Sequence, residues 1–470
     1  MNRPFVNTLH SLALLPAFLL LLPLPPASAA SAEADAAKAA ARKLDSSKPT
    51  PVPLPVETLD LGLCYQLALL RMESIGLSEA DVRVAQARFW QAVGAALPTL
   101  KVLGEQSVYN DRSASFGVNN SGGGIGGPAP KIDNYPQTAR VNLKVPLFSG
   151  MRDFQVARAA RADIEGNRQT IRRVRQNLYL DVAEAFYQVL QYEDDLRVLG
   201  DIEQTLLERV ADQERRVKLG KSRQSELIQA RNDLAQARVS LERTRGLHGA
   251  SRELLLFYTG LPEEQLKIKD TAPPPPGSLT LAHYLEKSGQ RPDVLAAVEA
   301  ERSARAQLSA AKGEHWPTLS FEGNYYLYDS DKIQDGEWNG FLTLEIPIFD
   351  GGSIEARVDE NKALFAKKQL DVSKLERETV RDIRTAWNNF NSSLAELART
   401  DEAARTAEMN YTAQKADYEL GVVKSLDVLD ALRSWQDTRR DLIAAHLASK
   451  LNLVKLHVAA GDIDQGPLKK

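Results

Sequence analysis

Two short segments carry the glycine, lysine and serine residues of possible nucleotide sites. The glycines between Gly122 and Gly127 have the spacing of a dinucleotide-binding loop, which must lead into a helix that receives a pyrophosphate. Pro128 follows them at once, so no helix begins there. Gly220-Lys221-Ser222 is the end of a phosphate-binding loop, but Arg215 stands where the first glycine of that loop is required. Neither segment predicts nucleotide chemistry.

Metal-binding and nucleophilic residues are also sparse. The six histidines are scattered without the spacing of a zinc-protease helix, and the only cysteine is Cys64. We interpret His315, beside Trp316, as a helix-to-strand junction near a membrane interface rather than a metal ligand. No nucleophile elbow or pair of catalytic carboxylates can be assembled. The sequence therefore predicts no enzyme, no cofactor and no metal site.

The charge of the chain favours no polyanionic partner. Lysine and arginine number 59 against 62 acidic residues, which gives a formal net charge of −3. Such a balance provides no long-range attraction to nucleic acid. We expect no nucleic-acid partner.

Residues 1–29 have the organisation of an export signal peptide. Arg3 supplies a basic start, Leu12 to Leu22 are mainly apolar, and Ala27-Ser28-Ala29 forms a small-residue cleavage site. The apolar stretch is shorter than the roughly 20 residues of a membrane-spanning helix. We expect a cleaved signal peptide and, over residues 30–57, an extended N-terminal arm. No cysteine follows the cleavage site, so no N-terminal lipid is expected.

The elements around these residues occur twice in the chain. Leu97-Pro98-Thr99-Leu100 returns as Trp316-Pro317-Thr318-Leu319, and Leu143 to Gly150 returns as Leu344 to Gly351. In both halves a Leu-Gly pair ends 74 residues after the proline of the second motif. Equal spacing at two places predicts a duplicated structure. The expected units are a first repeat over 58–270, a proline-rich linker over 271–278, a second repeat over 279–461 and a tail over 462–470.

Each repeat is predicted to contain a long helical hairpin. Apolar residues from Leu178 to Leu199 recur at steps of four and three, as in a coiled-coil seam, and the second half repeats this around Phe390. A helix of about 65 residues is roughly 100 Å long, which no compact domain needs. Glycine at 220 and 421 ends the long helices, and returning helices are expected from about 222 to 258 and 424 to 458. The predicted seams are Leu178, Val182, Ala185, Val189, Tyr192, Leu196 and Leu199, and Ile383, Trp387, Phe390, Leu394 and Leu397.

Two strands precede each long helix. Apolar and polar residues alternate before Pro146 and again from Thr318 to Leu327, as in the strands of a membrane β-barrel. Four strands cannot close a barrel, and an open edge in lipid leaves backbone groups unsatisfied. Two or three chains sharing one barrel are both allowed by strand counting. The expected external loops are Ser121 to Gly127 and Asp329 to Asp335.

With these motifs the chain resembles the TolC-like outer-membrane factors, from about Leu59 to Gly461. The segment from Tyr418 to Ala431 is the most specific part of the likeness. The resemblance implies a mainly α fold with a small β part, in the Gram-negative outer membrane. Three chains would share a 12-stranded transmembrane β-barrel above a periplasmic α-barrel made of long antiparallel helical hairpins. It also implies a periplasmic adaptor and an inner-membrane pump as partners, in efflux or type I secretion.

The resemblance assigns roles to three groups of residues. Those of the periplasmic gate are Asp427, Asp430, Tyr418, Ser225 and Glu226. Those at the hairpin tips, where an adaptor would dock, are Gly220, Lys221, Gly421, Val422, Val423 and Lys424. Those at the barrel-to-helix junctions are Pro146, Gly150, Pro347 and Gly351. Val423 replaces the arginine of a well-known member, so an ionic latch would be weaker here or built through Lys424.

Two readings of the gate carboxylates remain open. Three copies of Asp427 and Asp430 around a narrow axis would form acidic rings that repel one another and attract cations. Alternatively, Asp427 only caps the first turn of the returning helix, where acidic residues are favoured. For the whole protein, the alternative to a passive exit duct is a soluble periplasmic coiled-coil adaptor.

Overall fold

The computed structural model describes residues 58–106, 108, 137–273, 280–329 and 337–463. The predicted signal peptide, the N-terminal arm and the glycine-rich loop lie outside these residues, as do most of the proline-rich linker, the second loop and the tail. The first half consists of α1 (Leu61–Arg71), α2 (Glu73–Ala95), β1 (Thr99–Gln106), β2 (Gln137–Ser149), α3 (Arg152–Lys218) and α4 (Gln224–Thr259). The second half consists of α5 (Leu281–Glu286), α6 (Pro292–Lys312), β3 (Thr318–Asp329), β4 (Trp338–Glu345), α7 (Ser353–Glu419) and α8 (Ser425–Ala460).

The two halves have helices of equal length. Both α3 and α7 contain 67 residues, close to the predicted 65, and both α4 and α8 contain 36. At about 1.5 Å per residue, each long helix extends roughly 100 Å. The predicted order of two strands, long helix and returning helix is therefore confirmed in both halves, and helices precede the strands in each half. Among the described residues, no helix combines the length and the apolar composition needed to cross a membrane.

The buried side chains lie along the predicted seams. The seam residues Val182, Ala185 and Val189 are buried in α3, and Ile383 and Phe390 are buried in α7. Phe186, which was not in the predicted seam, is also fully buried. Leu429 and Leu432 of α8 join a cluster that spans both halves, so the second hairpin packs directly on the first. The other members of that cluster are Val198, Leu199, Ile202, Leu206, Leu234, Ala237 and Leu241.

The four strands form one antiparallel sheet in the order β1-β2-β3-β4. A polar row crosses all four strands in register, from Lys101 through Asn142 and Asn324 to Asn339. The Asn142 Nδ2 donates to Asn324 Oδ1 at 2.8 Å, and the Asn324 Nδ2 donates to Asn339 Oδ1 at 3.1 Å. This ladder satisfies the amides on the polar face.

The neighbouring row of the sheet is apolar and lies on its opposite face. It consists of Val102, Val141, Tyr325 and Trp338, and its end members Val102 and Trp338 are 72% and 77% exposed. Because successive strand residues point to opposite faces, the sheet has one polar and one apolar side. The edges β1 and β4 have no partner strand within the described residues.

The two junctions between sheet and long helix differ. Pro146 lies inside β2, beside a register shift between Pro146 and Phe148, and the chain turns later at Gly150 and Met151, both with positive φ. In the second half β4 ends before Pro347. Gly351 and Gly352 make that turn, again with positive φ. The sequence motif is therefore the same, but the first strand continues through its proline.

Candidate functional site

The site consists of the two hairpin tips, where α3 turns into α4 and α7 turns into α8. Gly220 (φ 70°) and Gly421 (φ 78°) adopt the left-handed conformation that ends each long helix. Lys221 N donates to Arg216 O at 2.8 Å, and Val422 N donates to Asp417 O at 2.9 Å. These are the six-to-one bonds of a Schellman motif, so the two tips have the same backbone closure.

The second tip exposes apolar and acidic side chains together. Leu420 and Val422 are 78% and 73% exposed. Asp427 Oδ2 accepts the backbone N–H of Lys424 at 2.9 Å, which caps the first turn of α8. Asp430 lies one turn further along the same face, and its carboxylate is 3.5 Å from Arg433 Nη1. Asp427 therefore has the capping role, and its exposed position next to Asp430 is also compatible with an acidic ring.

The first tip contains a polar network that also reaches Tyr418 of α7. Gln213 is 1% exposed, and its Nε2 donates to the Tyr418 hydroxyl at 3.3 Å. The Ser222 hydroxyl lies 2.8 Å from both Gln213 Oε1 and Glu226 Oε2 and shares its proton between them. The two hairpins are thus linked through a buried amide.

Two arginines of α3 pack on the same tyrosine ring. The guanidinium carbon of Arg216 lies 4.8 Å from the centre of the Tyr418 ring, and that of Arg209 lies 5.9 Å away. Burial lowers the pKa of Arg209, and the neighbouring Tyr418 and Tyr411 oppose this shift. Arginine titrates so far above neutral pH that Arg209 stays charged. Tyr418 is therefore held both at its hydroxyl and at its ring face.

Three arginines of α8 bind carboxylates of the first hairpin. Arg433 pairs with Asp233 of α4, whose side chain is 4% exposed. Arg439 pairs with Asp201 at 3.2 Å, in an exposed position. Arg440 contacts both oxygens of Asp195 at 3.3 Å. The tip half of α8 is thus attached to the first hairpin by charge as well as by Leu429 and Leu432.

The predicted gate residues differ in their contacts. Tyr418, at the end of α7, contacts the first hairpin. Glu226 bonds to Ser222 of its own tip, and Ser225 is exposed. Lys424 is exposed and contributes its backbone N–H to the cap, while Val423 is partly buried. The contacts that link the hairpins use Gln213, Asp233 and Arg433, which sequence reasoning missed because their partners are distant in sequence and no local motif marks them.

Comparison with known proteins identifies the family. The family model described as "Outer membrane efflux protein" matches residues 64–261 and 286–462. The chain belongs to the outer membrane efflux protein family. This membership confirms the predicted outer-membrane efflux channel and its outer-membrane location, and gives no support to the soluble adaptor.

Individual members of this family resemble the chain at low identity. The outer membrane protein TolC of Vibrio cholerae serotype O1 is 26% identical over 301 residues, which are 62% of this chain and 69% of TolC. The cation efflux system protein CusC of Escherichia coli K12 is 23% identical over 384 residues, or 78% of this chain and 82% of CusC.

Solved structures of outer-membrane channels share the fold. The crystal structure of VceC from Vibrio cholerae has a TM-score of 0.74 at 18% identity, covering 85% of this chain and 96% of VceC. A crystal structure of CusC also has a TM-score of 0.74, at 19% identity, covering 88% of this chain and 95% of CusC. The predicted fold class, helical hairpins with four strands in the manner of these channels, is confirmed.

Proposed function

We propose that three copies of this chain form one continuous duct, with a 12-stranded β-barrel in the outer membrane and a helical barrel below it in the periplasm. The duct conducts substrates passively and catalyses no reaction. It serves as the exit of a tripartite efflux pump or a type I secretion system.

The main support for this proposal is the four-stranded sheet. Its edge strands β1 and β4 are unpaired within the described chain, and its apolar face is open. In lipid, unpaired backbone groups cost several kcal/mol each, so only a closed barrel is stable there. Neighbouring copies close the barrel by pairing β1 of one chain with β4 of the next. The polar row from Lys101 to Asn339 then faces the water-filled lumen.

The second hairpin tip is the proposed gate of this duct. Asp427 and Asp430 are exposed on one face of α8, and three copies around the axis form two acidic rings. The contacts of Tyr418 and Arg433 with the first hairpin hold the gate closed. Opening requires these contacts to break.

The two tips together form the proposed docking surface for a periplasmic adaptor and, through it, an inner-membrane pump. Both present exposed side chains around a rigid glycine turn, including Leu219 at 68% and Leu420 at 78% exposure. The surface comprises Gly220, Lys221, Gly421, Val422, Val423 and Lys424.

Adjacent substitutions on β1 test the duct. Val102→Asp places a charge on the apolar face, and Lys101→Asp places one on the polar face of the same strand. A charge facing lipid costs about 2 to 4 kcal/mol near the bilayer centre, whereas a lumen charge costs little. Native mass spectrometry of the membrane fraction should therefore show trimers for wild type and Lys101→Asp, and few for Val102→Asp. Equal amounts of membrane trimer in both variants, or a monomeric wild type, would contradict the duct.

A further inference from the structure

A cleft lined by arginines lies between α3 and α6, far from the hairpin tips. Its volume is about 500 Å³, and it is bordered by four arginines and two glutamates. In the layer of helices α2, α3, α6 and α7, the helices α3 and α6 are the inner pair, so one chain forms the whole cleft. The charged lining residues are Arg158, Arg161, Arg302, Arg305, Glu165 and Glu299.

Both glutamates of the cleft are already neutralised. Glu299 pairs with Arg302 at 2.5 Å, and Glu165 pairs with Arg168 of its own helix at 2.6 Å. Among the described residues, Arg158 and Arg161 have no carboxylate partner. Two free guanidinium groups one turn apart form a fork that suits the oxygens of a phosphate.

Arg305 borders the cleft from the opposite helix. It is 3.4 Å from Glu301, and its guanidinium carbon lies 5.3 Å from the centre of the Phe365 ring of α7. The ring restricts the side chain, which reduces the entropy lost when an anion binds. The excess positive charge of the cleft therefore comes from Arg158 and Arg161, and Arg305 adds hydrogen-bond donors on the opposite wall.

With the sheet in the outer membrane, as proposed above, the cleft lies close to the membrane surface; the inference rests on that placement. Arg158 is six residues after the first residue of α3, which is roughly 9 Å below the sheet at the rise of a helix. Phe154, one turn nearer the sheet on the same face, is 62% exposed. Trp316, between α6 and β3, is 61% exposed. Exposed aromatic residues followed by basic ones are typical of a membrane interface, where arginine stems extend toward the headgroups.

We propose that this cleft binds the phosphate group of an anionic phospholipid from the periplasmic leaflet of the outer membrane. Arg158 and Arg161 bind the phosphate oxygens, with Arg305 on the opposite wall. The acyl chains extend past Phe154 toward the apolar face of the sheet. Basic clefts between helices at a membrane surface bind lipid phosphates by the same electrostatics. This site is independent of the gate.

Lipid titration of the purified full-length protein tests the site. Native mass spectrometry counts the phosphatidylglycerol or phosphatidylcholine bound per complex, with the same acyl chains in both lipids. The cleft variant is Arg158→Gln plus Arg161→Gln, and the control is Arg172→Gln plus Arg197→Gln, two exposed arginines elsewhere on α3. Melting curves of both variants should match wild type, because exposed substitutions change stability little. Bilayer conductance should also be unchanged, so the result is separable from the duct proposal.

Wild type and the control should bind phosphatidylglycerol at least about tenfold more tightly than phosphatidylcholine. Both lipids carry the phosphate, but the quaternary ammonium of phosphatidylcholine neutralises the headgroup and is repelled by the arginines. The cleft variant should lose this preference, and millimolar inorganic phosphate should leave the bound lipid in place. If inorganic phosphate displaced the lipid from wild type but not from the cleft variant, the cleft would still be a phosphate site. The proposal that its ligand is a phospholipid would then be overturned. An equal preference in the cleft variant and wild type would overturn the site itself.

Discussion

The two hairpin tips have the same backbone and different side-chain contacts. In the first hairpin, ion pairs Arg231–Glu214 at 2.6 Å and Arg238–Glu203 at 2.7 Å join α4 to α3. In the second hairpin, none of the ion pairs between described residues joins α8 to α7. The duplicated positions of Glu214 and Arg231 carry Lys415 and Leu432, which cannot form that pair.

The arginines of α8 instead bind the first hairpin. Ion pairs thus connect the two helices of the first hairpin to each other, whereas in the second hairpin ion pairs connect α8 to the first hairpin. Duplication thus supplies two hairpins of equal length, and the placement of a few charges gives them different contacts.

The largest effect is expected when the buried carboxylate of Asp233 loses its arginine partner. Arg433→Gln leaves the carboxylate of Asp233 buried with only the 3.0 Å bond from Gln229 Nε2. Loss of one partner of a buried pair costs about 3 kcal/mol. Hydrogen exchange of the α8 amides near the tip should accelerate by about a hundredfold, because opening is favoured by that amount.

Arg439→Gln is the matched control, since its pair with Asp201 is exposed on both sides. Exposed ion pairs contribute about 0 to 1 kcal/mol, so exchange should change severalfold at most. Equal effects of the two substitutions would show that burial of Asp233 does not determine how the second hairpin is held.

An intermediate effect is expected from alanine at the tip glycines. Gly220→Ala and Gly421→Ala each force a side chain into the left-handed region, at a cost of about 1 to 2 kcal/mol. Because both turns have the same closure, the two variants should lower the melting temperature equally. Only Gly421→Ala should raise channel conductance, because it loosens the hairpin that is proposed as the gate. Equal conductance in both variants would contradict the proposal that the second hairpin, and not the first, is the gate.

The smallest effect is expected from Tyr418→Phe. This change removes the bond from Gln213 and keeps the ring under Arg216, so it should cost about 1 kcal/mol. The fraction of open channels in bilayer recordings should rise about fivefold. Tyr411→Phe is the control, because the Tyr411 ring stacks on Trp435 at 5.2 Å and that contact survives. A larger rise for Tyr411→Phe than for Tyr418→Phe would argue against the polar network as a latch.

Regular features of the fold were predictable from the sequence because they leave local patterns. Apolar spacing predicted the seam from Leu178 to Leu199, and the Leu-Gly pairs predicted turns that the structure places at Gly220 and Gly421. The alternating strand residues predicted a sheet with one polar and one apolar face. Each of these depends on residues within one or two turns of one another.

Contacts between distant segments were not predictable in this way. Asp233 and Arg433 are 200 residues apart, and no local pattern in the sequence indicates that they pair. Gln213 is almost fully buried although its sequence neighbours are charged. Pro146 lies inside a strand, where the missing N–H of proline argues for a strand end. The surroundings of these residues are determined by packing between segments that are distant in sequence.

Conductance of the purified full-length protein in planar bilayers tests the central claim, that the second tip is the gate of a trimeric duct. Asp427→Ala plus Asp430→Ala is compared with wild type, with and without a divalent cation. Glu376→Ala plus Glu396→Ala removes the same charge from α7 away from the tip. We predict a larger conductance and a weaker divalent block for the tip variant alone. Wild-type conductance and block in the tip variant, or no channel in any preparation, would contradict the account.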